Sequence, residues 1–170
     1  QELGQQKMLR SMDDVVYSLV QGKQMEPADL TQLLNMLNWK KNDHFLCIRI
    51  KTQQNEGKTV MEHVLHSDLF RIFSEGYILF SGHEQCVILN LTRCEDYRNQ
   101  LRQLAQLCRE HQLYVGTSSP VDGIQELHGA YTQAGIALDR ALRNRKEKRL
   151  MQFSECAMDY LVQKVSSPLT

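Results

Sequence analysis

Two apolar runs joined by a short polar connection constrain the fold of this chain more than any other feature. Residues 76–91 read GYILFSGHEQCVILNL, with five small or polar residues, SGHEQ, between the runs. Gly82 can supply the positive φ that a short hairpin loop requires. The stretch therefore predicts an antiparallel hairpin with strands at 76–80 and 84–91. Its connection carries residue types that bind metals or exchange protons, namely His83 and Glu84, with Cys86 close by.

The segment HFLCIRIKT, residues 44–52, predicts a strand whose two faces differ. Side chains alternate between the faces of a strand, so apolar residues two apart share one face. The apolar face would carry Leu46, Ile48 and Ile50, and the mixed face Phe45, Cys47 and Arg49. Two further strands are predicted at 113–117 and 150–153.

Helical spacing and end signals predict the remaining elements. Gly22 ends the first helix, and Pro27 lies in the first turn of the second. Two capping boxes, Thr92–Glu95 (T-x-x-E) and Asp122–Gln125 (D-x-x-Q), predict where two later helices begin. The predicted helices cover residues 5–21, a short segment from Pro27, 59–73, Thr92 to about His111, a long segment after Asp122, and 155–165.

The order of these elements predicts the fold class. Six of them in succession run strand, helix, strand, strand, helix, strand, and this βαββαβ order suits a ferredoxin-like α+β sandwich. We expect helices to cover one face of its sheet, with extra helices at both termini. The expected organisation is a helical lead-in at 1–43, an α+β domain at 44–154 and the start of a linker helix at 155–170.

Composition excludes several classes of function. The charge is balanced, with 20 basic and 20 acidic residues, which argues against a surface that binds a nucleic-acid duplex. No apolar run reaches the ~18 residues of a membrane span, so no membrane contact is expected. The five cysteines form no C-x-x-C pair, which favours reduced, mostly buried thiols in a cytoplasmic protein. Neither a nucleophile motif nor a glycine-rich phosphate loop is present.

The candidate metal ligands are poorly arranged. On a strand Glu84 and Cys86 share a face while His83 points away. His63 and His66 are three apart on a predicted helix, but no Cys or Glu completes a recognisable set. We therefore predict no metal and no cofactor. The basic run 143–149 is interpreted as a solvated turn near a helix C-terminus rather than a DNA contact.

Several segments together resemble a known family. They are the hairpin, the stretch YVGTSSPVDGIQELHGAYTQAGIALDRAL, the leading segment MDDVVYSLVQGKQMEPADLTQLLNMLNWKKNDHFLCIRI and the exit FSECAMDYLVQKV. Within the second, an alanine-rich pattern reads Ala130-Tyr131-x-x-Ala134-x-x-Ala137-Leu138-x-x-Ala141. The chain resembles the degenerate GGDEF-like domain of bacterial transcription regulators of the purine-catabolism and sugar-diacid type. A sensor region of an AraC-type regulator is the second possibility.

The resemblance implies a middle domain that contacts DNA only through a separate domain further along the chain, beyond Thr170. It also implies a lost catalytic loop. Ser81 and His83 stand where the family motif has Gly and Asp. Gln85 replaces its Phe, while Gly82 and Glu84 match.

An active diguanylate cyclase needs a divalent metal bound by carboxylate oxygens, one of them from the first strand. Here the first strand offers Arg49 and Lys51, whose positive charges repel a metal. We therefore predict no cyclase activity.

Two functional hypotheses stay open. The first is a regulatory domain that couples signals through self-association as a homodimer, with the apolar seams of the first helix and of the Tyr131 helix as candidate surfaces. The second is direct sensing of a small-molecule effector or nucleotide. Arg49 and Lys51, on the mixed face beside the hairpin, are then the candidate residues for binding an anion.

Overall fold

The computed structural model describes residues 12–52, 58–81, 83–144 and 148–157. Residues 12–20 form helix α1. The elements that follow are α2 (Pro27–Leu37), β1 (His44–Thr52), α3 (Lys58–Ile72), β2 (Tyr77–Ser81), β3 (Glu84–Asn90), α4 (Tyr97–His111), β4 (Leu113–Thr117), β5 (Val121–Asp122), a 3₁₀ turn (Ile124–Glu126), α5 (Leu127–Arg143) and β6 (Leu150–Gln152). Residues 153–157 are helical and are called α6.

The strands form one six-stranded sheet in the order β2-β3-β1-β4-β6, with β5 pairing the start of β1. The pairs β2–β3, β3–β1 and β1–β4 are antiparallel, and β4–β6 is parallel. The order β2-β3-β1-β4 is what a ferredoxin-like βαββαβ unit produces. The predicted α+β class is therefore confirmed. No helix in the described ranges is long and apolar enough to cross a membrane.

Helices cover both faces of the sheet, so the expectation of one covered face is wrong. Leu46, Ile48 and Ile50 pack with α3 and α4 in a first core. Phe45 and Cys47, each 0% exposed, pack with α1, α2 and α5 in a second core. Because Phe45 and Cys47 are fully buried, the mixed face of β1 needs its own covering helices.

Helix α5 lies unusually close to the sheet. Its alanines Ala130, Ala134, Ala137 and Ala141 are all 0% exposed. A Cβ added to Gly116 on β4 would lie 2.1 Å from the backbone nitrogen of Leu138 and 2.2 Å from the carbonyl oxygen of Ala134. The small residues on both elements let the two backbones come into contact, and beside this contact Tyr114, Leu138 and Ala141 form a third, smaller core.

Two predicted helix ends are confirmed. Gly22, with φ of 75°, follows the end of α1. Pro27 occupies the first turn of α2, where its missing N–H leaves no hydrogen bond unmade.

The two predicted capping boxes are wrong. Helix α4 begins at Tyr97 and is capped by Asp96, whose side chain accepts a hydrogen bond from the backbone N–H of Asn99. The Thr92 hydroxyl instead accepts from the backbone N–H of His44 at 2.8 Å. Asp122 lies 2.5 Å from Nδ1 of His44. Both predicted caps bond to the first residue of β1, since tertiary pairing places them beside that strand.

Candidate functional site

The predicted hairpin is present, with β2 and β3 paired so that Ser81 lies opposite Glu84. Gly82 and the Ser81 side chain fall outside the described residues. His83 is exposed in the turn. Gln85 is 5% exposed, and its Oε1 has no hydrogen-bond partner within the described ranges. Glu84 and Gln85, which follow each other on β3, point to opposite faces of the sheet.

Glu84 pairs with Arg49. The Arg49 Nε donates to one carboxylate oxygen of Glu84, and Nη2 donates to the other at 3.1 Å. The side chains are 19% and 24% exposed, so the pair is largely shielded from water. This two-pronged geometry is the strong form of an arginine–carboxylate contact. It turns Glu84 towards α5, on the same face of the sheet as Cys86, as strand alternation predicted.

Helix α5 completes the surroundings of Arg49. The guanidinium lies over the Tyr131 ring, with Cζ 3.9 Å from the ring centroid, and Nη1 donates to the Tyr131 carbonyl oxygen at 3.3 Å. A Cβ added to Gly135 would lie 2.3 Å from Nη1. The guanidinium is thus enclosed by a carboxylate, an aromatic ring and a helix backbone. We call Arg49, Glu84, Tyr131 and Gly135 the arginine cluster.

The arginine cluster holds fixed charges. Burial lowers the pKa of Arg49, but the hydrogen bond and the charge of Glu84 outweigh it, and the net pKa is raised above its usual value. Burial raises the pKa of Tyr131 against the opposing charge of Arg49. Neither group exchanges a proton near neutral pH. The cluster is therefore built to hold β1, β3 and α5 together rather than to carry protons.

Two cysteines lie beside the arginine cluster. The sulfur atoms of Cys47 and Cys86 are 3.4 Å apart and buried. The hydrogen bond with Cys86, followed by burial, raises the pKa of Cys47 well above its usual value, so the thiol stays protonated. None of the five cysteines is in a disulfide, and four of them are buried, with Cys94 partly exposed. The prediction of mostly buried thiols is confirmed.

The two candidate anion-binding residues have different surroundings. Arg49 is paired within the chain, so an anion there would have to displace the Glu84 carboxylate. Lys51 is exposed and lies between Glu84 on β3 and Tyr114 on β4. The structure therefore brings them to the same face of β1 without forming an open pair of cations.

The second candidate metal site, the pair His63 and His66, does not form a cluster of ligands either. His66 contacts the rings of Phe70 and Phe80, with ring centroids 5.1 Å and 3.7 Å away. The side chain of His63 lies outside the described residues. Across the part of the chain that the structure describes, no three His, Cys, Asp or Glu side chains come together as a possible metal site.

The two apolar seams proposed as self-association surfaces are used inside the monomer. Val16 and Val20 of α1 are 1% and 0% exposed, and the α5 alanines pack on the sheet. In the basic run, Arg143 pairs with Asp139 at 3.0 Å and Lys148 with Glu155 at 2.5 Å. Residues 145–147 fall outside the described ranges, so the interpretation of this run as a turn stays a prediction.

Sequence reasoning missed the arginine cluster because its members come from three separate elements. One signal was available: Gly135 interrupts an otherwise alanine-rich helix, and an isolated helical glycine often marks a close approach. For Glu84 the sequence predicts only the face of the strand on which it lies. Its partner emerges only from the strand register, which places Arg49 opposite Cys86 and therefore diagonal to Glu84.

Comparison with known proteins identifies a family for this chain. Residues 21–139 match the GGDEF-like domain family. Among solved structures, the chain is similar to a microbial GGDEF domain described in a study of its interaction with bis-(3,5)-cyclic di-GMP. The two share 15% sequence identity over 85% of this chain and 87% of that chain, with a TM-score of 0.39. No curated protein matches the chain significantly.

Proposed function

This chain belongs to the GGDEF-like domain family, and we propose that it serves as a non-catalytic regulatory domain of a bacterial transcription regulator. In this proposal it acts in the cytoplasm, and DNA is contacted by another domain of the same regulator. The regulator is of the purine-catabolism and sugar-diacid type that the sequence resembles.

The pairing of Glu84 with Arg49 is the observation that carries this proposal. A cyclase needs hard carboxylate oxygens free to bind a divalent metal that neutralises the triphosphate. Both oxygens of Glu84 accept hydrogen bonds from one guanidinium instead. Binding a metal there would require breaking that pair and leaving a largely buried arginine without its partner, which is costly.

The residues beside Glu84 add to the same argument. The neighbouring cation Lys51 lies opposite Glu84 in the strand register. His83 stands in the motif position that the family fills with Asp. Positive charge at this end of β1 opposes the approach of a metal by simple repulsion. In the proposed role the carboxylate holds two strands and a helix together.

The regulatory role that we propose works through self-association as a homodimer. The seams of α1 and α5 are buried within the monomer. A dimer built on either seam would require the monomer to open, so the proposed homodimer uses a surface outside both. Sedimentation velocity over a concentration series checks this: we expect reversible dimerisation without added ligand, and a monomer at every concentration contradicts it.

The catalytic half of the proposal is tested by incubating the purified chain with GTP and Mg²⁺. We expect no cyclic dinucleotide above the level of a protein-free control. Repeating the assay with Mn²⁺ excludes the choice of metal as the reason for a negative result. Product that increases in proportion to protein concentration would overturn the proposal.

A second candidate function is direct sensing of a small molecule. The arginine cluster gives it little support because Arg49 is already paired. A specific observation elsewhere does favour it: a polar cleft at the opposite end of the sheet, lined in part by arginine side chains. A thermal-shift screen with purines, sugar diacids and guanine nucleotides distinguishes the two functions, since a ligand that binds the native state raises the midpoint.

A further inference from the structure

A cleft of about 740 Å³ lies at the end of the sheet opposite the hairpin. The start of α4, the end of β4 and the segment after β6 form its walls, and Leu46 on β1 also lines it. A volume of this size is within the range of small-molecule sites, which run from about 300 to 1,000 Å³. None of the residues of the arginine cluster lines it.

One wall carries two cations. Arg98 and Arg102 both line the cleft, and because they are four residues apart they share one face of α4. Within the described ranges, neither guanidinium forms a hydrogen bond or ion pair, in contrast with Arg49. Asp96 also lines the cleft, but its carboxylate accepts the capping hydrogen bond from Asn99 at 3.3 Å. The cations therefore outnumber the carboxylate two to one.

The opposite wall supplies hydroxyl groups. Thr117 is 1% exposed and lines the cleft. Ser118 is 3% exposed, and its Oγ accepts from the backbone N–H of Cys47 at 2.9 Å, which leaves its own proton to donate. Ser119 and Ser154 also line the cleft.

We propose that this cleft binds a small oxyanion ligand, either a phosphate monoester or a dicarboxylate. Arg98 and Arg102 bind its charged oxygens, and the Thr117 and Ser118 hydroxyls donate to the same or a neighbouring oxygen. Planar guanidinium groups match carboxylate and phosphate geometry, and hydrogen bonds to charged oxygens are about twice as strong as neutral ones. The two guanidinium groups, set beside the Thr117 and Ser118 hydroxyls, are the feature that an oxyanion would satisfy.

The position of the cleft gives binding a structural consequence. Gln152 and Ser154 contribute to it from the end of β6 and from α6, through which the chain continues towards Thr170. A bound ligand would link α4, the end of β4 and α6. This inference supplies a site for the second candidate function and is independent of whether the hairpin is catalytic.

The test measures thermal midpoints of the whole chain with inorganic phosphate, glycerol 3-phosphate and glucarate, each against sodium chloride at equal ionic strength. We expect at least one of these probes to raise the midpoint of the wild type. Phosphate and glycerol 3-phosphate acting without glucarate identify a phosphate site, and glucarate alone identifies a dicarboxylate site. No shift with any probe overturns the proposal.

Variants locate the binding. In Arg98→Gln/Arg102→Gln we expect at least tenfold weaker affinity by titration calorimetry, and in Thr117→Val a loss of about fivefold. Arg109→Gln, on the last turn of α4 and outside the cleft, is the matched control and should bind like the wild type. Equal affinity in the double variant, in Thr117→Val and in the control overturns the proposal. The proposal is also overturned if two results occur together: without ligand the double variant has a lower thermal midpoint than the wild type, and no probe raises the midpoint of the wild type. The two arginines would then bind groups within the chain instead of a ligand.

The cleft test and the cyclase test fail independently. Cyclic dinucleotide production would overturn the non-catalytic proposal while leaving the affinities at Arg98 and Arg102 unchanged. Absence of oxyanion binding would remove the sensing site and leave the Glu84–Arg49 argument intact.

Discussion

The two faces of the central sheet are both covered by helices but are held together differently. On the side of α3 and α4, strand β1 contributes Leu46, Ile48 and Ile50, each at most 1% exposed. On the side of α5 the same strand contributes Arg49, whose guanidinium contacts Glu84, Tyr131 and the backbone of α5. One face depends on packing alone, and the other adds a charged pair with specific partners.

This difference shows how a buried charge is accommodated in a small domain. The apolar face tolerates exchange between hydrophobic residues of similar volume, since its contacts have no direction. The mixed face has little such freedom, because its arginine requires a carboxylate, a ring and a glycine at fixed places. In the function that we propose, Glu84 and Arg49 contribute to stability instead of binding a metal.

The largest effect is expected on the apolar face. Ile48 is 0% exposed, and Ile48→Ala removes methyl and methylene groups from a core that can only partly close around the cavity. We expect a loss of about 2–5 kcal/mol in the free energy of unfolding. Urea denaturation measures it. The control is Lys51→Ala, an exposed residue near the end of the same strand, which we expect to change the free energy of unfolding by less than about 0.5 kcal/mol. A loss under 1 kcal/mol for Ile48→Ala would contradict the packing described for this face.

An intermediate effect is expected from two glycines in the same helix. At Gly135 a methyl group would displace the Arg49 guanidinium, whereas at Gly129 a Cβ meets nothing within 4 Å. We expect Gly135→Ala to destabilise the fold by about 1–3 kcal/mol through overpacking. Gly129→Ala should stabilise it by up to about 1 kcal/mol because alanine is the better helix former. Equal responses in urea denaturation would show that α5 does not enclose the guanidinium.

The smallest effect concerns a buried carboxylate with neutral partners. Asp43 accepts from Nδ2 of Asn90 and from the backbone N–H of Lys40, each at 2.8 Å. Burial raises the pKa of Asp43, but these hydrogen bonds outweigh it and the net pKa lies below the ordinary 3.8. Its contribution to stability, roughly 1 kcal/mol, is therefore full above pH 3.8 and is lost as the pH falls through the lowered value.

Urea midpoints of the wild type and of Asp43→Asn over a pH series check this expectation. The difference in urea midpoint between the wild type and Asp43→Asn should be constant above pH 3.8 and should decrease below it. Asp29→Asn, on the exposed face of α2, corrects for removing one negative charge. An advantage that increases as the solution is acidified would show that the pKa of Asp43 is raised instead.

The sequence predicted the strands better than the helix starts, for a physical reason. The bounds of β1 and β4 agree with prediction to the residue, because strand alternation is a local pattern that burial reinforces. The capping motifs at Thr92 and Asp122 are local patterns too, but both side chains are instead bonded to His44. Tertiary contacts with a strand that is distant in sequence therefore override such short motifs.

The candidate sites were less predictable than the fold because they depend on register. Arg49 and Glu84 are 35 residues apart, and their pairing follows from the alignment of β1 with β3. The oxyanion cleft joins the start of α4, the end of β4 and the start of α6, which no sequence spacing connects. The face of β3 on which Glu84 lies follows from strand alternation, but its pairing with Arg49 does not.

The most direct test of Glu84 as a structural carboxylate is a double-mutant cycle. The free energy of unfolding is measured for the wild type, Arg49→Met, Glu84→Gln and the double variant by urea denaturation. We expect each single variant to be destabilised and the double variant to recover part of the loss, with a coupling free energy of about 1–3 kcal/mol. Additive losses, with a coupling free energy under about 0.3 kcal/mol, would show that the two side chains do not depend on each other. Glu84 would then not be held by Arg49, which would contradict its role as a structural carboxylate.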